Sequence, residues 1–126
     1  MDERVRQNLL YDFYGDLLND YQKSVYSAAV FDDMSYSELG NEFGVTRQAA
    51  YDLIKRIEHK LEKYEDRLGL VSRFLEARAK AEELETMIAD LESHIDNSNI
   101  DDIDKKSILT KLDVIHKDTV SIIDTL

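Results

Sequence analysis

Arg47, Gln48, Tyr51 and Lys55 are the side chains of this sequence best suited to act on a partner, and their chemistry is hydrogen-bonded recognition, not bond making. The Arg47 guanidinium matches the paired acceptors on a guanine edge, and the Gln48 amide matches the donor and acceptor of an adenine edge. Thr46 precedes them, while Lys55 and Arg56 carry charges that suit phosphates, contacts that position a protein without specifying sequence. Asp52 can accept from a cytosine amine. Four residues before Arg56, it better fits a weak surface pair. Tyr51 suits a groove contact and edge packing alike. None of this has value unless one helix presents these residues together.

The elements around them supply that helix. Tyr36 to Lys55 reads as a helix-turn-helix: Leu39, Phe43, Val45, Ala50 and Leu53 give apolar contacts between two short helices, and Gly40 leaves room for close approach. Gly44 stands where the turn requires a positive φ. Ser35 with Glu38 forms a capping box for the first helix, and Thr46 caps the second. An ordinary helical hairpin with Gly44 at a helix C-terminus is the competing reading of the same signals. From Thr46 to Lys63, five cations face three acids, a net +2. Glu58, Glu62 and Asp66 extend the reading face as an acidic stripe, so only the first turns of this helix can enter a groove. A solvated face laced by opposite charges is the plainer account of the stripes.

Composition bounds the rest. The 126 residues hold no proline, no cysteine and four glycines, with 43% hydrophobic content, which points to an all-α protein without disulfide or thiol chemistry. No apolar run reaches the length of a membrane span and the charged N-terminus is no secretory signal, so the cytoplasm is the expected location. The net charge of −11 opposes tight autonomous binding to duplex DNA, whose affinity rests on cations displacing counterions. Residues 1–72 carry nine cations and fourteen acids, net −5, and residues 73–126 carry seven and thirteen, net −6. Nucleic-acid binding is therefore expected to be weak or assisted, and a basic protein partner competes with it.

Two regions follow from the periodicity. In residues 1–69, Leu9, Leu10, Phe13, Leu17 and Leu18 predict a helix from about Arg4 to Leu18, and Val25, Tyr26, Ala29 and Val30 a second from Tyr21 to Phe31, ended by Asp32 and Asp33. The aromatics concentrated here read as core or edge packing, not a base-stacking platform. From residue 70 to 126, Leu70, Phe74, Ala77, Ala81, Leu84, Ile88, Leu91 and Ile95 form one heptad seam, and Ile108, Leu112, Ile115, Thr119, Ile122 and Leu126 another. With a turn at Asp96 to Asn99, they predict an antiparallel two-helix hairpin for self-association, a homodimer by preference, or for partner binding. His59, His94 and His116 read as isolated, so no metal site is expected. There is no phosphate loop, nucleophile motif or dinucleotide fingerprint, so neither a cofactor, a small-molecule substrate nor enzymatic activity is expected.

The pieces LYDFYGDLL, SYSELGNEFGVTRQAAYDLIKR and KLEKYEDRLGL, within about Asn8 to Leu75, closely resemble the YlxM-like proteins of Gram-positive bacteria. The helix-turn-helix portion is also similar to promoter-reading region 4 of sigma factors. The resemblance implies an all-helical cytosolic protein with a regulatory or accessory role in the signal recognition particle pathway, a link inferred from genes lying beside those of the particle's GTPase and its receptor. It brings no catalytic residues. The expected fold is thus an all-α, sigma region 4-like helix-turn-helix head followed by a long heptad hairpin. Two functions from different classes follow: a nucleic-acid-binding regulator acting on DNA or RNA through Thr46, Arg47, Gln48, Tyr51, Lys55 and Arg56, or an accessory factor that binds the particle's GTPase or RNA without reading DNA. Sigma-like contact with RNA polymerase is a related third, though the regions a full sigma factor needs are missing.

Overall fold

The computed structural model describes residues 2–99 and 101–125; Leu126, the last position of the second expected seam, lies outside them. Among the described residues there are six α-helices, a short 3₁₀ turn and no strand: α1 (Glu3–Tyr14), the turn Gly15–Leu17, α2 (Asp20–Val30), α3 (Tyr36–Phe43), α4 (Arg47–Leu68), α5 (Leu70–Asp96) and α6 (Asp102–Thr125). The chain divides into two compact units, residues 1–72 and 73–126.

In the first unit α1, α2 and α3 pack around α4. α4 buries Ala50, Ile54, Ile57, Leu61 and Glu65, one face at spacings of three and four. Against it α1 buries Leu10 and Tyr14, α2 buries Val25, Tyr26, Ala28 and Val30, and α3 buries Leu39. The first helix departs from its sequence reading: it closes at Tyr14 and passes into the 3₁₀ turn, so the buried series is Leu10, Tyr14, Leu18, while Phe13 and Leu17 are exposed. The reason lies in Tyr14. Its ring is enclosed and its hydroxyl finds polar partners at the far end of α4, so a tyrosine outcompetes its more apolar neighbour for the core.

Glu65 joins the end of α4 to the start of α5. The Tyr14 hydroxyl donates to Glu65 Oε1 at 2.5 Å, and the Val71 and Ser72 N–H groups donate to the same carboxylate at 2.9 and 3.1 Å. The Leu70 N–H donates to the Tyr14 hydroxyl at 3.1 Å. A single carboxylate thereby serves the otherwise unpaired N–H groups that open α5. Gly69, at φ 63°, makes the break between the helices, yet the first unit runs on to Ser72 because these bonds hold the first turn of α5. Burial pushes the Glu65 carboxyl up, but the bonds from Tyr14, Val71 and Ser72 and the charge of Arg6 outweigh it and hold the group below the usual carboxylate range. Burial and that carboxylate together raise the Tyr14 hydroxyl.

In the second unit α5 and α6 run antiparallel: Lys105 Nζ donates to the Asp96 carbonyl at 2.9 Å, and further along His116 meets Glu85 at 3.4 Å and Glu92 at 3.8 Å. Ala81, Ile88, Leu112 and Thr119 are buried. Leu84, Leu91, Ile115 and Ile122, expected in the same seams, are not; they are 49 to 55% exposed. The pair has rolled so that Glu85, Glu92 and His116 share the contact line with every second apolar position, and one side of each seam turns to solvent. The expectation of an isolated His116 is overturned as well, because its carboxylate neighbours come from the opposite helix.

Candidate nucleic-acid interface

The turn between α3 and α4 is set by two glycines. Gly44 has φ 70° and ψ 33°, the left-handed conformation that glycine adopts at little cost, and its N–H closes onto the Gly40 carbonyl. Gly40 has a steric reason: a Cβ there would lie 2.6 Å from the Val45 carbonyl oxygen. Both expected caps are formed. Ser35 and Glu38 exchange bonds at the start of α3. Thr46 Oγ1 accepts from the Ala49 N–H at 3.0 Å, so α4 begins at Arg47.

These caps place the sequence-selected residues on the three leading turns of α4 and the turn before them. Thr46, Arg47, Gln48, Tyr51, Asp52, Lys55 and Arg56 are all exposed. Several are engaged within the helix. Gln48 Nε2 donates to Asp52 Oδ1 at 3.0 Å, so Asp52 pairs with Gln48 and not with Arg56. Lys55 Nζ lies 3.3 Å from Glu58 Oε2 and 5.5 Å from the centroid of the Tyr51 ring, and the Glu58 charge raises its affinity for its proton. Tyr51 packs edge-to-face on Tyr36 at 5.1 Å yet stays 40% exposed, so edge packing and access to a partner coexist. Arg47 borders a cleft of about 460 Å³ together with Ser35, Tyr36, Ser37 and Glu58. Arg56 follows Lys55 by one residue and so projects about a quarter turn away, on the other flank of the helix.

The acids further along α4 have a structural role that spacing alone did not show. Arg6 of α1 holds Glu62 through two bonds, at 2.9 and 2.6 Å, and Gln7 reaches Glu58 at 3.4 Å. Glu62 in turn raises the Arg6 guanidinium. The later turns of α4 are therefore the scaffold of the head, tied to α1, and the leading turns are what it presents. Sequence reading also missed Glu65. One signal was available: its register continues the apolar series Ile54, Ile57, Leu61, and an acid in that phase needs buried partners.

Residues 1–110 match the family model described as "Putative helix-turn-helix protein, YlxM / p13 like". Among curated relatives, a UPF0122 protein of Listeria welshimeri is 40% identical over 107 residues, covering 85% of this chain and 91% of the relative. A UPF0122 protein of Bacillus thuringiensis is 42% identical over 95 residues, 75% of this chain and 86% of the relative. One from Listeria innocua is 46% identical over 83 residues, 66% and 76% of the respective chains.

Proposed function

We propose that this chain, which belongs to the UPF0122 family of YlxM/p13-like helix-turn-helix proteins, is a non-catalytic cytoplasmic regulator that contacts nucleic acid through the leading turns of α4. One observation carries the reading: a glycine-set turn and a threonine cap hold Arg47, Gln48, Tyr51 and Lys55 outward from a packed three-helix support. Arg47 and Gln48 are the base-reading side chains and Lys55 and Arg56 the phosphate contacts. Binding is weak, since the molecule carries a net charge of −11. No membrane enters this reading; among the described residues no helix is long and apolar enough to cross one.

The test is binding of the full chain to DNA fragments and to structured RNA over a range of salt concentrations. Replacing Arg47 and Lys55 by alanine is expected to weaken binding by roughly ten-fold or more and to reduce the salt slope by about one, for the phosphate contact of Lys55. Binding that ignores salt, or that survives the double substitution unchanged, overturns it. A second reading, an accessory factor that binds the GTPase or RNA of the signal recognition particle without reading DNA, is favoured by the intrahelical engagement of Gln48 and Lys55, which lowers their readiness for bases. Co-purification with the GTPase, in the absence of any DNA binding, would replace the first reading by the second.

A further inference from the structure

We propose that the exposed apolar face of the α5–α6 hairpin is covered by the same face of a second copy of this chain, giving a four-helix bundle. Leu84 and Leu91 each follow a contact residue of α5, Ala81 and Ile88, by three positions, and Ile115 follows Leu112 of α6 by three. Each is therefore turned about 60° in the same sense from the contact line. In antiparallel helices, equal turns of one sense bring side chains to the same side, so these three, with Met87 one turn beyond Leu84, form a single stripe. They are 52, 49, 49 and 57% exposed in the order Leu84, Leu91, Ile115, Met87. The α5 part of the stripe lines a shallow hollow of about 590 Å³.

Two observations identify the occupant. The first is how little the hairpin holds by itself. Among the described residues of 73–126, only Ala81, Ile88, Leu112 and Thr119 are buried, and an alanine and a threonine contribute little to a core. Helices draw most of their stability from a packed apolar face, and a second hairpin supplies one of matching length and pitch. The second is charge. By the same helical count Arg73, Lys80, Asp104, Lys111 and Asp118 border the stripe, and Asp90 lines its hollow, three cations less three acids, or zero. The whole of residues 73–126 carries seven cations less thirteen acids, or −6, so the acidic surplus lies on the other faces. A basic protein or a polyanion would each select a face of one sign. The stripe is nearly neutral and carries both signs, which suits a two-fold copy of itself.

Sedimentation of the full chain at micromolar concentration is expected to give a dimer whose mass halves when Leu84 and Leu91 are both replaced by glutamate. A wild-type monomer overturns the proposal, and so does a dimer indifferent to the double substitution. A second measurement leaves the core untouched. The sequence has no cysteine, so Met87→Cys gives a unique site for a spin label. A defined label-to-label distance between chains, lost on dilution with unlabelled protein, is expected; no coupling between chains at the concentrations used overturns the assignment.

Discussion

Residues 1–72 and residues 73–126 are both helical and both periodic, yet α4 closes its apolar stripe from Ala50 to Leu61 against three other helices whereas α5 leaves Leu84 and Leu91 52 and 49% exposed. The head surrounds one long helix with short ones, so each turn of α4 meets a neighbour on its buried side. Within the second unit each helix has the other as its neighbour, and that contact is shared with Glu85, Glu92 and His116. A regular heptad specifies which residues can be buried. How many are buried depends on how many helices arrive to cover them.

The largest test of that contrast is a pair of truncations. Ile57→Ala in the head removes a fully buried side chain and is expected to cost about 2–5 kcal/mol, whereas Ile88→Ala in the hairpin, at 8% exposure on a thin contact, falls at or below the low end of that range. The probes separate cleanly. All seven tyrosines lie between Tyr11 and Tyr64, so the tyrosine band of the near-ultraviolet circular dichroism reports the head alone, apart from the phenylalanine bands to which Phe74 contributes, and far-ultraviolet ellipticity reports both units. Ile57→Ala should lower the tyrosine-detected midpoint. Ile88→Ala should leave it in place and alter only the far-ultraviolet transition. Equal shifts in both signals would make the two regions one cooperative unit and dissolve the comparison.

Glu65 sharpens the contrast through polar chemistry. Its carboxylate accepts from Tyr14, Val71 and Ser72, and replacing it by glutamine is expected to cost about 2–3 kcal/mol. The pH dependence has a definite sign. The folded group titrates below its ordinary value of about 4.5, so its contribution is complete above that value and is lost as pH falls through the lower, folded one. Wild type should lose more head stability on acidification below that ordinary value than Glu65→Gln does, measured by urea unfolding with tyrosine detection. Parallel pH profiles would show that the carboxylate charge contributes nothing. Among the described residues of the hairpin, no buried carboxylate gathers hydrogen bonds in this way.

How far the sequence went depends on the range of the interaction. Short-range signals were legible: the Ser35–Glu38 box, the Thr46 cap and the left-handed Gly44 all arise within a few residues, and all are present. So was the all-helical class, from the absent prolines and the unbroken periodicity. Phe13 and Leu17 misled because hydrophobicity ranks them above Tyr14, whose place depends on a carboxylate 51 residues away. The roll of the hairpin was hidden for the same reason, since His116 and Glu85 meet across 31 residues of chain. On α4, spacing placed Arg47, Gln48, Tyr51 and Lys55 at its leading turns but could not show that Glu58 and Asp52 already engage Lys55 and Gln48.

Asp52 offers the smallest and most discriminating change. It accepts from Gln48 one turn away, an exposed pair that contributes a few tenths of a kcal/mol at most, so Asp52→Ala should leave the head's unfolding midpoint nearly unmoved. Its effect on binding depends on what α4 meets. Against phosphates, removing the carboxylate relieves a screened repulsion of about 0.5–1 kcal/mol and frees the Gln48 amide, so affinity for nucleic acid should rise a few-fold, most at low salt. Against a basic protein surface the same carboxylate attracts, and its loss should weaken binding. The direction of the change, read by titration with labelled DNA and with the targeting GTPase in turn, therefore distinguishes DNA reading from GTPase binding by α4 without disturbing the fold that presents it.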